Sequence, residues 1–539
     1  MPPKTGLNTL NNHRFIKTNS EDYYSDEKTE ILTKKLIKLS EVGEKLEPLR
    51  KKGKRIVHCH GCFDLIHHGH IKHFEAAKKF GEVLIVTITE DRYVNKGPDR
   101  PFFNHNIRAE NLAALEIIDF VAINFAPTAI PAIEKIRPHF YVKGQDYKTM
   151  EQDISGGIIL EKELAEKLGG KLVFTEEIQF SSSNLINQFF DEKDEDAKRF
   201  LTQVKENYDY KHFEKLFDQI AHKRVMVVGD IILDEYQFVK PIGKASKSPT
   251  ITSIKGKSEV YAGGVLAVAN HVADFVEEVV LVTTYGKNKD REYWDLIQEN
   301  LHDKIKLIVV ETPNHPTVLK SRIVDQVFRH KLFEVIEINE LPLSEKIEAE
   351  LISKVKEQIK KHDLCLVADF GHGVLTENLI RTIEADSTFF AVNAQTNSAN
   401  LGYNLLTKYK KCDYFSIDKA EAHLALHKKF EDTGIIQHHL NQTTNTTISS
   451  ITLGVEGTSV MAADGRQISA PIFNTDVVDT IGAGDAYLSI TALLAELDAS
   501  IEELAFVGNA VGAMAVKIIG NKSYIRRTDL LKYIKTLLA

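Results

Sequence analysis

Residues Arg55–Thr89 read RIVHCHGCFDLIHHGHIKHFEAAKKFGEVLIVTIT, and their pattern decides the fold of the first half of the chain. Arg55–His60 is a short apolar strand candidate, interrupted by the loop Gly61-Cys62-Phe63-Asp64. A helical pattern follows from about Gly69 to Phe80 and closes at Gly81, a residue suited to a C-cap. Glu82–Thr89 is the next strand candidate. Strand, helix and strand in so short a span form a βαβ unit, which predicts a parallel sheet with helices on both faces.

The alternation continues outward. Phe120–Asn124, Phe140–Lys143 and Lys171–Thr175 are further strand candidates with helical patterns between them. Upstream, Leu32, Leu36, Leu39 and Val42 recur at helical spacing and predict an amphipathic helix over 31–50, preceded by a polar, acidic tail. At Asp191 the composition shifts to DEKDEDAKR, and a polar helical stretch runs to about His222. A fresh strand, Arg224–Asp230, then restarts the alternation through Val279–Thr283, Lys306–Val310, Leu364–Ala368, Phe389–Val392, Tyr414–Ile417 and Ser449–Leu453. Two strong helical patterns follow, Asp485–Leu497 and Ile501–Ile519. The fold class is α/β with two doubly wound domains. Their expected bounds are a tail and leader helix at 1–54, a first domain at 55–190, a charged linker helix at 191–222 and a second domain at 223–539.

Composition narrows the class. At roughly 150 residues per domain, 539 residues predict two to four compact units. With 43% hydrophobic and 27% charged residues the chain is neither disordered, collagen-like nor a coiled coil. A net charge of −8 argues against nucleic acid as a partner. Four cysteines cannot build a disulfide framework. No apolar run of membrane-spanning length occurs, and the N-terminus has no signal-peptide h-region, so a cytoplasmic protein with no membrane partner is expected.

The first chemical constellation is His67-His68-Gly69-His70, between strand and helix. His67 and His70 are three apart, so at a helix start they converge on one ligand. Gly69 lets an anion approach the backbone, and the helix terminus adds unpaired N–H groups. Such a site can stabilise charge on an α-phosphate during nucleotidyl transfer without a protein nucleophile. Cys59-His60-Gly61-Cys62 also suggests zinc, but there is no second cysteine pair, and Cys59 reads as a buried strand residue.

The stretch GCFDLIHHGH resembles the HxGH signature of the cytidylyltransferase-like branch of the nucleotidyltransferases, a Rossmann-like fold. The resemblance implies triphosphate binding at Gly61, Phe63, Asp64, Gly69 and the two histidines, with His67, His70 and Lys96 as catalytic groups. It also places phosphate and sugar contacts at Arg108, Lys143 and Asp146, and a triphosphate-capping triplet at Ser181, Ser182 and Ser183.

The second constellation is Asp479-Thr480-Ile481-Gly482-Ala483-Gly484-Asp485-Ala486, entering an apolar helix. Gly482, Ala483 and Gly484 present successive N–H groups as an anion hole for a migrating phosphoryl group. Asp485 stands in the first helical turn, where the dipole is expected to keep it ionised at neutral pH and ready to accept a hydroxyl proton. A Walker-type loop is absent, since Gly243-Lys244 lacks the upstream glycine.

DTIGAGDAY resembles the C-terminal signature of the ribokinase-like (PfkB) sugar kinases. That resemblance implies sugar contacts at Asp230, Asp234, Gly263 and Gly264, and a substrate-phosphate clamp at Lys320 and Arg322. It further implies a nucleotide loop at Thr452, Gly454 and Gly457, an adenine neighbour at Asn509, and magnesium at Asp418 and Glu421. Asp369–Gly373 matches the family's central strand-end motif. Ala267 and Asn393-Ala394-Gln395 depart from the family pattern, which has Asn and Asp-Pro-Lys there.

The pairing resembles the bifunctional heptose-7-phosphate kinase / heptose-1-phosphate adenylyltransferase family, with the domain order reversed. It implies phosphorylation of a sugar phosphate and its activation as an NDP-sugar, an ADP-heptose-type precursor, with Mg2+ and ATP or another NTP, in a homodimer. Two alternatives stay open: a degenerate kinase serving as a binding module beside a working transferase, and the same two activities on a non-heptose sugar or polyol phosphate.

Overall fold

The computed structural model describes residues 34–98, 100–144, 157–175, 194–286, 291–339 and 341–539. The chain divides into two compact units, 1–94 with 101–182, and 95–100 with 183–539.

In the first unit, β1 (Ile56–Gly61), β2 (Val83–Thr89), β3 (Phe120–Asn124), β4 (Phe140–Lys143) and β5 (Lys171–Phe174) form one sheet in the order β3-β2-β1-β4-β5. Every pairing is parallel. Successive residues of β1 and β2 serve opposite faces, which is why both strands read as nearly unbroken apolar runs. Val57, Cys59, Leu84 and Val86 pack with Phe74 and Leu112 on one side. Ile56, Val83 and Ile85 pack with Val42, Leu46 and Ile136 on the other.

The leader differs from expectation. Lys34 and Lys35 are helical, but Leu36 forms a parallel bridge to Val121, with Ile37 N donating to Val121 O at 3.0 Å, and helix resumes only at Val42. Leu36, Ile37 and Leu39 pack on the cores flanking the sheet, so an extended segment along β3 satisfies the apolar spacing that predicted a helix.

The second unit holds a large sheet of β6 (Arg224–Gly229), β9 (Glu278–Gly286), β10 (Ile305–Thr312), β13 (Leu364–Asp369), β14 (Phe390–Ala394), β15 (Tyr414–Asp418), β16 (Ile448–Thr452), β17 (Thr458–Ala462) and β18 (Gln467–Ala470). Its order is β10-β9-β6-β13-β14-β15-β16-β17-β18, parallel as far as β16 and antiparallel beyond. The sequence reading did not anticipate a second, four-stranded sheet of β7 (Ile231–Lys244), β8 (Ile251–Gly264), β11 (Val318–Asp325) and β12 (Lys331–Glu337), in the order β12-β11-β7-β8. β6 passes through Asp230 directly into β7, so the carboxyl edge of the large sheet and the start of the small one meet there.

The stretch expected as a charged linker is, from Asp194 on, two amphipathic helices of this unit, Glu195–Asn207 and Tyr210–Ile220. They bury Phe200, Phe213 and Phe217, with ring contacts from Phe200 to Phe473, Phe213 to Phe506 and Phe217 to Phe275. Their charges line only the outer face, which made the composition look like that of a linker. The helix expected over 501–519 ends at Ala515, because Val516 O turns to accept from Val478 N and Asp479 N, at 2.9 and 3.1 Å.

Candidate functional site

In the first unit, strand order reverses between β1 and β4, and ligands of open α/β sheets bind outside the strand ends at such a point. The loop leaving β1 delivers the paired histidines there. His67 is the extended N-cap residue of the helix His68–Lys78, and its carbonyl accepts from His70 N at 2.9 Å. The His67 and His70 rings stack at 3.9 Å with 22° between their planes, and Gly69 is buried in the same turn.

Four residues expected to touch nucleotide, Gly61, Phe63, Asp64 and Arg108, frame this loop. Phe63 takes a left-handed φ of 49° and sets its ring edge-on to His70 at 5.2 Å. A Cβ at Gly61 would lie 3.1 Å from that ring. Asp64 is buried and accepts from Phe102 N and Phe103 N at 2.8 and 2.9 Å. Arg108 is 0% exposed and donates to Cys62 O, Thr89 O, Phe103 O and Asp91 Oδ1 at 2.5–2.9 Å, so its guanidinium braces the loops instead of facing a phosphate.

Lys143 ends β4, 3.4 Å from Glu161. Glu161 also accepts from Ala129 N and the Tyr141 hydroxyl. Around Lys143 stand histidines that the sequence reading passed over. Burial, then the Lys143 charge, holds His58 at about 3 and His73 at about 4, and lowers His60 well below the usual range. Each shares a hydrogen bond with a threonine: His58 and His60 with Thr87, and His73 with Thr175. Cys59 is a buried free thiol, as expected of a strand residue. Lys96 lies in the segment 95–100, which groups with the second unit. Asp146, Ser181, Ser182 and Ser183 lie outside the described residues.

In the second unit the phosphate loop is held open by its backbone. Gly482 has φ 80°, and a Cβ there would fall 2.4 Å from Asn521 Oδ1. Ala483 N turns back to Thr480 O at 3.3 Å, and Gly484 follows in the first turn of the helix Ala483–Glu496. Asp479 anchors the approach. Its carboxylate accepts from the Tyr236 hydroxyl, Lys331 Nζ, Ile481 N and Gly520 N at 2.8–3.2 Å.

Asp485 is 7% exposed, and its Oδ1 accepts from Gln395 Nε2 at 2.6 Å. The expectation that the helix dipole keeps it fully ionised is corrected here. Burial, then the Asp234 charge, pushes its carboxyl up to about 7, against the pull of Gln395 and Lys320. A value near the working pH suits a general base that must both take up and release a proton.

Asp234 is ion-paired with Arg322 and accepts from Asn521 Nδ2 at 3.0 Å. Gly263 packs so tightly on it that a Cβ would sit 2.0 Å from Oδ2. A Cβ at Gly264 would lie 2.6 Å from Asp230 O. Lys320 lies beside Asp234 in the β11–β7 register and is buried, which lowers its pKa. Arg322 also pairs with Glu334 at 2.8 Å. Asp230 departs from its expected role in holding sugar. It is 2% exposed and accepts from Phe370 N, His372 N and Val374 N at 3.1–3.3 Å, fixing the loop after β13.

Asp418 and Glu421 form a capping box at the helix Lys419–Ala425, and Glu421 also accepts from Thr396 N at 2.9 Å. Burial, then Asp418, raises the Glu421 carboxyl to about 8. Thr452 closes β16, and Gly454 and Gly457 turn the loop with φ 61° and 97°. A Cβ at Gly457 would meet Ala470 O at 2.0 Å. Asn509, expected near adenine, is buried and donates to Ala470 O at 3.1 Å, tying its helix to β18. Sequence reasoning noted Gln395 only as a departure from the family pattern, and it missed Asn521, Tyr236 and Lys331, which belong to no local motif.

Comparison with known proteins agrees with both constellations. Residues 58–189 match the family described as cytidylyltransferase-like, and residues 222–524 match the pfkB family carbohydrate kinases. The Bifunctional protein HldE of Syntrophotalea carbinolica is 36% identical over 149 residues, 27% of this chain and 29% of that protein. That of Bradyrhizobium diazoefficiens is 26% identical over 316 residues, 57% of this chain and 62% of that protein. The chain thus spans less than two thirds of the length of these curated relatives. Among solved structures, Escherichia coli phosphofructokinase-2 is 15% identical with a TM-score of 0.48, over 58% of this chain and 99% of that one. The kinase match covers more than half of the sequence and takes in the small sheet, the anion loop and Asp485, so the chain belongs to the pfkB family of carbohydrate kinases.

Proposed function

We propose that the chain is bifunctional, a kinase for a sugar phosphate and a sugar-1-phosphate nucleotidyltransferase, which together make an NDP-activated heptose. The observation that carries the reading is the presence of two separate phosphate cradles on one chain, the His67–His70 stack and the Gly482–Asp485 helix start. The relatives named Bifunctional protein HldE support it. The chain carries the transferase half first, the reverse of the order expected of that family.

In the kinase half, Asp485 takes the proton of the acceptor hydroxyl as its oxygen attacks the γ-phosphorus of ATP. The bond to the β-bridging oxygen breaks, and ADP leaves. Gly482, Ala483 and Gly484 receive the migrating phosphoryl group, while Lys320 and Asp234 face the sugar. Thr452, Gly454 and Gly457 border the nucleotide. The Glu421 carboxyl sits among acids and backbone N–H groups, with Asp418 and Asp485 both raising it, an environment that suits a divalent cation. Asp418 and Glu421 would hold Mg2+, which when bound supplies charge neutralisation at the phosphates.

In the transferase half, an oxygen of the sugar 1-phosphate attacks the α-phosphorus of ATP and pyrophosphate leaves. His67 and His70 stabilise the charge that develops. Lys143, Asp146 and the Ser181–Ser183 triplet border the sugar and triphosphate. The assembly is a homodimer through the kinase half. Its small sheet leaves Phe328, Phe333, Val335 and Ile254 more than half exposed, an apolar area suited to a second copy. Sedimentation of Phe333→Glu tests this, with a shift to monomer expected.

The central experiment follows ADP formation from ATP with heptose 7-phosphate, and pyrophosphate release from ATP and from CTP with heptose 1-phosphate. His70→Ala should lower pyrophosphate release at least about a hundredfold and leave the kinase half unchanged. Asp485→Asn should do the reverse. Kinase turnover by Asp485→Asn near the wild-type rate would sink the assignment.

A further inference from the structure

A second polar feature lies at the carboxyl edge of the large sheet, outside the groups assigned above. A cavity of about 30 Å³ is lined by His372, His315, Asp230, Thr284, Thr312 and Thr317, among others. Both ring nitrogens of His372 and Nδ1 of His315 are buried and have no hydrogen-bond partner among the described residues. Buried polar atoms without a partner are uncommon, and each one calls for an explanation.

The backbone holds these rings in place. His372 sits between Gly371 and Gly373, at φ 69° and 105°, and its N–H and those of Phe370 and Val374 are fixed by the Asp230 carboxyl. His315 Nε2 lies 2.7 Å from Leu341 O, so Nε2 carries a proton, and this tautomer leaves Nδ1 as an acceptor. Burial, then Lys320, pushes His372 down to about 4, so at neutral pH its ring offers one donor and one acceptor. The cavity is also lined by Ile231 and Val318, which lie on the paired strands β7 and β11 that carry Asp234 and Lys320, so it opens beside the residues that face the sugar.

A donor and two acceptors around a space of this size complement a hydroxyl group, which both gives and takes a hydrogen bond. They do not complement a phosphate, which would meet the Asp230 carboxyl and the lone pair of His315. We propose that His372 and His315 form a hydroxyl-reading subsite of the sugar acceptor, in which one secondary hydroxyl donates to His315 Nδ1 and accepts from His372. The proposal rests on the sugar-kinase reading given above. It adds specificity residues outside the two anion-binding signatures, His372 from the central strand-end motif Asp369–Gly373 and His315 from no motif.

Steady-state kinetics at saturating ATP, with heptose 7-phosphate and its monodeoxy analogues, test it. One analogue should raise the wild-type KM about tenfold or more with kcat within about twofold, since a site built to bond a hydroxyl discriminates against its loss. His372→Ala should raise KM for heptose 7-phosphate by the same factor and add nothing on that analogue, while His372→Gln recovers much of the loss. His315→Gln provides a second probe of the same hydroxyl should His372→Ala fold poorly. An equal loss of kcat on every analogue, or KM penalties that multiply instead of overlapping, would assign the cavity to structure or to an ordered water and overturn the inference alone. Failure of the wild type to phosphorylate any of these sugars would overturn the sugar-kinase reading, and this inference with it.

Discussion

Replacing Gln395 by leucine isolates a single bond to the kinase base. The Gln395 backbone is pinned at both ends, its N–H on Asp369 O at 2.8 Å and its carbonyl under Asn404 Nδ2 at 3.0 Å, so the side chain has one place to reach. It donates to Asp485 Oδ1 at 2.6 Å and lowers a carboxyl that burial and Asp234 otherwise raise. A hydrogen bond to a charged group contributes about 1.5–3 kcal/mol, and one pH unit corresponds to about 1.4 kcal/mol. Gln395→Leu should therefore move the acid limb of the kcat/KM profile from near 7 upward by about one to two pH units. The base works only when deprotonated, so activity at pH 7 should fall about five- to fiftyfold and return toward wild type above about pH 9. The assay is the ADP-coupled rate across pH, with Gln395→Lys as a counterpart that should move the limb down. A limb unmoved within about 0.3 pH units, or a uniform loss at every pH, would refute the argument.

Two further outcomes follow from the same geometry. Asp485 has its folded pKa raised to about 7, so the folded state retains a proton that the unfolded chain releases near 4, and stability falls as pH rises between those values. Asp485→Asn should therefore raise the melting temperature by roughly 3 °C or more at pH 8 and change it little at pH 4, read by calorimetry. Arg108→Met should destabilise the first unit by about 3–5 kcal/mol in denaturant titration, since it leaves Asp91 with His105 as its remaining side-chain partner and takes the donor from three backbone carbonyls.

Much of the architecture was legible because parallel strands buried on both faces leave short, apolar, β-branched runs, as at Val225–Val228 and Leu364–Ala368. The two glycine-bearing helix starts, at Gly69 and Gly482, were legible because each motif is contiguous in sequence. What escaped the sequence reading is non-local. The small sheet is built from strands that carry Asp234, Lys320 and Arg322 inward and Phe333 and Val335 outward, so its pattern resembles neither a buried strand nor a plain amphipathic one. Gln395 reaches Asp485 across 90 residues of sequence, and Asn521 reaches Asp234 across 287. Arg108 and Asp230 are of residue types that commonly bind anions and sugars, and only burial and counted partners show that they bind backbone instead.

Asp479 deserves a last consequence. One carboxylate receives Lys331 from β12, Tyr236 from β7 and the N–H of Ile481 at the entrance to the anion loop. The small sheet and the glycine loop Gly482–Gly484 are thus fastened to one side chain. On the proposed kinase reading, an acceptor that orders β7 and β12 would also order the glycine loop, and by thermodynamic reciprocity ATP would then favour the acceptor by the same factor. Heterotropic synergy of this kind would restrain the idle hydrolysis of ATP by water, because the loop would be best formed with an acceptor already in place.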